Sequence, residues 1–188
     1  DSLIREVSAV RDEMLALEGE ILSELGIHST FVESARNLVH YLALRRRDLR
    51  GLQTELASLG VSSLGRAELH VLGNVNAVLR LLELAAGHPA APEPDDRAIS
   101  LFEGRAFLDS HARDLLGRPR PDREVRIMVT LPSEAADDRE LMRSLIDAGM
   151  DCVRINCAHD DPAVWSRMID NLRDVERETG VVHPVAMD

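Results

Sequence analysis

The chain has 188 residues, a formal net charge of −11 and 45% hydrophobic residues, which suits one domain or two small ones. An acidic chain is a poor match for nucleic acid or an anionic membrane, because proteins that bind either one usually carry clustered Lys and Arg. With 3% aromatic residues, it also lacks the aromatic side chains on which the bases of single-stranded nucleic acid stack. No apolar run approaches the roughly 18 residues of a membrane span and no signal-peptide pattern is found, so a cytoplasmic protein is expected.

The first part of the chain, residues 1–116, has a helical pattern throughout. Apolar residues recur at spacings of three and four, which predicts helices at about 1–25, 30–59, 67–86 and 98–116. Short connections favour an antiparallel helical bundle, which we predict as the N-terminal domain. The predicted inward face of the second helix consists of Ala35, Leu38, Leu42, Leu49, Leu52, Leu56 and Leu59.

The first helix carries a single apolar stripe that has two interpretations. The stripe consists of Leu3, Val7, Val10, Met14, Leu17, Ile21 and Leu25. It can be covered within the chain by the other helices of the bundle. Alternatively, it can pair with a second copy across a two-fold axis, because its four–three spacing also suits long helix pairs. A homo-oligomer is therefore one of the two expectations.

The pattern changes after two breaks, a Pro- and acid-rich linker at 87–96 and a Gly-Arg-Pro-Arg-Pro segment at 117–121. Strands are predicted at about 125–130, 152–156 and 182–187, with helices at about 138–148 and 162–179. Strands that alternate with helices of this length predict βαβ units and a parallel sheet. We therefore predict a second, α/β domain over residues 123–188.

The second predicted strand ends in polar side chains. Cys152, Arg154 and Asn156 share one face of an extended strand. Polar groups at the carboxyl end of a buried strand are the usual site layout of parallel α/β folds, and a buried charge needs a partner. Arg154 can meet an anion or a nucleotide phosphate there, or it can form an ion pair with an acid on the neighbouring strand, such as Asp188. The residues alone leave both interpretations open.

Other reactive side chains are given structural roles. Cys152 and Cys157 lie about 16 Å apart on one strand, too far for a disulfide, so we predict two buried thiols. The histidines outside this strand end are predicted at the surface or on helix faces. Asp161 before a proline predicts a helix start, Trp165 is predicted to pack on the sheet, and Ser133 is predicted at a helix entry.

Residues 154–160 resemble the end of the second barrel strand of pyruvate kinases. The chain reads Arg-Ile-Asn-Cys-Ala-His-Asp, where that family has Arg-x-Asn-x-Ser-His-Gly. Ala158 thus replaces a Ser and Asp160 replaces a Gly. The segment at 130–133 resembles the family's first strand end, although it lacks a Gly. The resemblance covers about residues 123–188, and the helical part resembles the N-terminal extension of divergent bacterial pyruvate kinase-like proteins.

This resemblance implies a fold and a function. The fold would be the first βαβαβ portion of a TIM-type (β/α)8 barrel after the helical bundle. The complete protein would convert phosphoenolpyruvate and ADP to pyruvate and ATP, with Mg²⁺ and K⁺. The catalytic lysine and the carboxylates that hold the divalent metal would lie past residue 188, so the chain itself is expected to be inactive. The alternative is a non-catalytic helical interaction or oligomerisation module attached to a degenerate barrel.

The resemblance also implies site residues. Arg154 would contact substrate or phosphate at the transfer site. Asn156 and His159 would face the nucleotide. Asn156 and Asp188 would be ligands of the monovalent cation, but Ala158 removes one oxygen ligand, and hard cations need several.

Overall fold

The structure, a computed structural model, describes residues 1–89 and 98–188, so most of the predicted linker at 87–96 lies outside the described residues. The chain divides into two compact units, residues 1–108 and 109–188. Within the two described ranges, no helix has the length and apolar character needed to cross a membrane.

The first unit is built from helices. In chain order these are α1 (Ser2–Glu24), α2 (Val32–Arg45), α3 (Arg50–Ser58), α4 (Val71–Ala85) and α5 (Leu101–Leu116), and α5 continues into the second unit. The stripe of α1 is buried at Val7, Val10, Met14 and Leu17, and it shares one core with apolar residues of α2, α3 and α4. The stripe is thus covered within the chain except at Leu25, which is exposed.

The prediction of one helix over 30–59 was wrong. The helix breaks between Arg45 and Arg50, where the Asp48 carboxylate accepts a hydrogen bond from the Arg50 backbone N–H at 3.1 Å. A carboxylate that satisfies a free N–H favours a new helix start over continuation. The predicted inward face was also partly wrong, because Leu38, Leu42 and Leu59 are exposed.

The buried face of α2 consists instead of Val39, His40, Ala43 and Leu44. It is displaced by about one residue from the predicted stripe. His40 can occupy this face because Glu18 of α1 provides a partner for its ring. A pattern of hydrophobic residues alone does not identify a buried helix face that includes a polar residue with a hydrogen-bond partner.

The second unit contains β1 (Met128–Thr130), α6 (Arg139–Asp147), β2 (Cys152–Ile155), α7 (Pro162–Thr179) and β3 (Val185–Met187). The strands form a parallel sheet in the order β1-β2-β3. Apolar residues of β2, α6 and α7 form the core of this unit, with Val153, Met142 and Leu172 fully buried.

The prediction of a TIM-type (β/α)8 barrel portion was wrong. In the described residues the strands are short and form an open three-stranded sheet, with β1 and β3 as its two edges. A barrel requires a sheet that closes on itself with a matching tilt and stagger of the strands, and three strands of three or four residues do not provide this. Helices, rather than strands, make up most of the described chain.

The helices of the second unit begin and end at identifiable signals. The Asp161 carboxylate accepts hydrogen bonds from the Ala163 and Val164 N–H groups at 2.8 and 3.0 Å, and Pro162 occupies the first helical position. This confirms the predicted start of α7. The helix ends at Gly180 with a φ of 72°, a conformation that glycine adopts at little cost.

Candidate functional site

Polar side chains meet at the carboxyl edge of the sheet. Thr130 and Arg154 are paired in the β1–β2 register, and Asp188 follows β3 directly. The Arg154 guanidinium binds the Asp188 carboxylate through Nη2–Oδ1 at 2.9 Å and Nε–Oδ2 at 3.2 Å. Its Nη1 donates to the Thr130 hydroxyl at 3.4 Å. One guanidinium therefore links the ends of all three strands.

The ion pair lies at the surface rather than in the core. The Arg154 side chain is 32% exposed and that of Asp188 is 62% exposed. Pairs in this environment contribute about 0–1 kcal/mol to stability. The ion pair between Arg154 and Asp188, one of the two interpretations of the sequence, is thus present. Its small contribution to stability does not by itself explain why an arginine occupies this position.

A turn at 156–160 follows β2. The Asn156 side-chain oxygen accepts a hydrogen bond from the Ala158 N–H at 3.1 Å, and the Asn156 carbonyl accepts one from the His159 N–H at 3.1 Å. The Trp165 indole donates to the His159 carbonyl at 2.8 Å. The turn is therefore held by its own residues and by α7, with the His159 residue exposed.

Asp160 has a left-handed backbone with a φ of 62°. Asp is among the few residues that visit this region. Its carboxylate accepts hydrogen bonds from the Ser133 hydroxyl at 2.9 and 2.8 Å. The turn after β2 is in this way joined to the segment after β1.

The residues at this edge do not fit a potassium ion. The Asp188 carboxylate is occupied by the Arg154 guanidinium, whose positive charge opposes a second cation. The Asn156 oxygen accepts a backbone hydrogen bond, and Ala158 has no side-chain oxygen. Elsewhere in residues 1–89 and 98–188, no cluster of three or more His, Cys, Asp or Glu side chains could hold a metal ion.

Ser133 and Trp165 are two residues whose roles sequence reasoning missed. Ser133 was predicted at a helix entry, and it does begin a short 3-10 helix over Ser133–Ala136; Trp165 was predicted against the sheet. Trp165 does pack on the core of the second unit, but both residues also bind the turn at 156–160. The available signal was the turn after β2, where Asp160 has a positive φ that its carboxylate supports through the Ser133 hydroxyl.

The remaining histidines were predicted at the surface or on helix faces, and His40 does lie on a face of α2, although that face is buried, whereas His183 is buried outside any helix. His40 is 1% exposed, and its Nε2 lies 2.7 Å from the Glu18 carboxylate. His183 is 2% exposed, and its backbone N–H donates to Glu176 at 2.5 Å. Each glutamate also binds an arginine, which balances its charge.

Both cysteines are free thiols, as the sequence predicted. Cys152 is buried and Cys157 is half-buried, which partly corrects the prediction of two buried thiols. Burial raises the pKa of the Cys152 thiol, and the negative charge of Asp151 raises it further. Neither observation points to thiol chemistry at the carboxyl edge.

Part of the chain is similar in sequence to a known protein. The sequence is 36% identical over 66 residues to a protein of Sporosarcina psychrophila. That relative is a pyruvate kinase. The match covers 35% of this chain and 11% of the relative, so the chain spans about a tenth of the relative's length. No protein-family model and no solved structure matches the chain. The similarity supports a distant relationship to pyruvate kinase.

Proposed function

We propose that this chain is part of a pyruvate kinase-like phosphotransferase that moves a phosphoryl group between phosphoenolpyruvate and ADP. The observation that carries the proposal is the identity of 36% over 66 residues to a pyruvate kinase. The partly exposed guanidinium of Arg154 at the carboxyl edge of the sheet supports it, because that edge is where parallel α/β folds bind ligands.

In this proposal Arg154 contacts the phosphate. A guanidinium presents a planar fork that matches phosphate as well as carboxylate. Asp188 occupies that fork in the structure, and a phosphate would compete with it for the same N–H groups. Asn156 and His159, on the adjacent turn, would face the nucleotide.

The similarity to pyruvate kinase would imply Mg²⁺ and K⁺ for the complete protein. The residues at 154–160 and Asp188 do not fit K⁺, so no step is assigned to it. Two free thiols match a reducing compartment, and we propose a cytoplasmic location on that basis.

Substitution of Arg154 in a longer, active protein tests the proposal. Arg154→Ala should lower turnover by at least about tenfold, and Arg154→Lys by less, because an ammonium keeps the charge but loses the fork. Both should lower the free energy of unfolding by at most about 1 kcal/mol. Loss of stability with unchanged activity per folded molecule would assign Arg154 to the ion pair alone.

The 188-residue chain should not catalyse the reaction by itself. Phosphoryl transfer depends on alignment of nucleotide, metal and acceptor, and the proposed residues form one side of such a site. A coupled assay of pyruvate formation from phosphoenolpyruvate and ADP with Mg²⁺ should read at the buffer background. Turnover that scales with the concentration of the chain would contradict this.

A second candidate function is a non-catalytic helical module that pairs with a second copy of the chain. The observation that favours it is the surface of α5, where Leu101, Leu108 and Leu115 are exposed at seven-residue spacing. Leu108→Glu should convert a dimer to a monomer in a measurement of mass in solution. A wild-type monomer at high micromolar concentration would remove this candidate.

A further inference from the structure

The turn at 156–160 is held from three directions. Within the turn, Asn156 accepts hydrogen bonds from the Ala158 and His159 N–H groups. From α7, the Trp165 indole binds the His159 carbonyl. From the segment after β1, the Ser133 hydroxyl binds the Asp160 carboxylate. The first two contacts come from residues within ten positions of the turn, and the third comes from 27 positions away.

The Ser133–Asp160 contact has properties that the others lack. Its acceptor is a charged carboxylate, and hydrogen bonds to charged groups are stronger than neutral ones. The neighbouring acid cannot replace it, because the Asp161 carboxylate already caps α7. Asp160 also holds a left-handed backbone that most residues avoid, so a side-chain partner helps to select this conformation.

We infer that the Ser133–Asp160 hydrogen bond is a clamp that positions the turn at 156–160 for ligand binding. Neither residue touches the proposed ligand. The clamp orders the backbone between Asn156 and Asp160 and so fixes where Asn156 and His159 are presented. This inference rests on the proposed function for its ligand, while the ordering of the turn stands on the geometry alone.

The chain contains a built-in reporter for this inference. Trp165 is the single tryptophan of the chain, and its indole is hydrogen-bonded to the turn. The Ala158 and His159 amides are hydrogen-bonded in the turn, so their hydrogen exchange reports how often the turn opens. Both measurements use the 188-residue chain without a ligand.

Ser133→Ala should speed exchange of the Ala158 and His159 amides by about three- to tenfold and increase acrylamide quenching of Trp165. Ser133→Thr keeps the hydroxyl and should restore both values. The matched control is Ser144→Ala, because the Ser144 hydroxyl donates to the Leu141 carbonyl within α6, away from the turn, and this change should alter neither value. Unchanged exchange in Ser133→Ala would overturn the clamp.

Asp160→Gly separates the clamp from backbone strain. Glycine adopts the left-handed conformation freely but has no carboxylate. If the side-chain contact orders the turn, Asp160→Gly should resemble Ser133→Ala in exchange and quenching. A glycine variant as well ordered as the wild type would show that the backbone conformation alone suffices, and would overturn the inference.

Titration with ADP, followed by Trp165 fluorescence and by the amide signals of residues 157–159, tests the positioning role. Ser133→Ala should weaken ADP binding by about three- to tenfold, because a competent turn is populated for a smaller fraction of the time. Equal affinity in Ser133→Ala, with faster exchange, would overturn the positioning role. Absence of ADP binding by the wild-type chain would count against nucleotide contact by Asn156 and His159, while the exchange result would still decide whether the clamp exists.

Discussion

Buried ionisable side chains occur in both units, and most of them are paired. Glu18 binds both His40 and Arg36, and the desolvation of Arg36 is opposed by hydrogen bonds to carboxylates that raise its pKa. His70 differs, because its buried Nδ1 has no hydrogen-bond partner among the described residues. Burial lowers the pKa of His70 below its usual value of 6.5. A partly buried imidazole whose pKa is lowered in this way makes stability depend on pH.

The direction of that dependence follows from the lowered pKa. Above pH 6.5 the imidazole is neutral in both the folded and the unfolded chain, and its contribution does not vary. Below pH 6.5 the unfolded chain binds the proton first, so the free energy of unfolding should fall until the pH reaches the folded-state pKa. Urea unfolding at several pH values between 7.5 and 5 should show a smaller fall in His70→Gln than in the wild type. An equal fall in both proteins would contradict the prediction.

At the level of elements, glycine positions decide how closely α5 approaches the chain around it. A Cβ at Gly104 would lie 1.9 Å from the Leu69 carbonyl oxygen, a separation that real atoms do not reach. Gly19, in the interior of α1, has no atom within 4 Å of such a Cβ. Gly104 is therefore required by close packing against Leu69, whereas nothing near Gly19 excludes a larger side chain.

Alanine substitutions should have opposite signs at these two positions. Gly104→Ala should lower the free energy of unfolding by about 1–3 kcal/mol, because the helix must shift to admit the methyl group. Gly19→Ala should raise it by about 0.5–1 kcal/mol, because alanine loses less backbone entropy in a helix. Denaturant unfolding of both variants measures the difference. Stabilisation by Gly104→Ala would show that α5 does not pack against Leu69 in solution.

At the level of the whole molecule, the apolar stripe of α1 determines whether the chain folds alone. Met14 is fully buried in a core formed within the first unit. Apart from the exposed Leu25, the stripe is therefore already covered by the chain's own helices. A second copy is not needed for that purpose.

Met14→Ala should lower the free energy of unfolding by about 2–5 kcal/mol through lost burial and the cavity that remains. The unfolding midpoint of the wild type and the variant should be independent of protein concentration, since the core is intramolecular. The matched control is Leu38→Ala on α2, which removes an exposed side chain and should cost much less. A midpoint that rises with protein concentration would assign the stripe to an interface between chains.

The sequence by itself determined the helical first unit, the alternation of strands and helices after residue 123, and the start of α7 at Asp161. These features depend on residues three or four apart in helices, two apart in strands, or adjacent at a cap, so their signal is contained in a short window. It also placed Arg154 and Asn156 at the end of β2. The similarity to a pyruvate kinase agrees with the family resemblance at the level of a distant relationship.

Only the tertiary structure decided which groups meet. It replaced the expected barrel portion by an open sheet, selected the face of α2 that is buried, and showed that Glu18 makes His40 a core residue. It also joined Ser133 to Asp160 across 27 positions. The physical reason is that burial and pairing depend on partners far apart in the chain, which the periodicity of one segment does not specify.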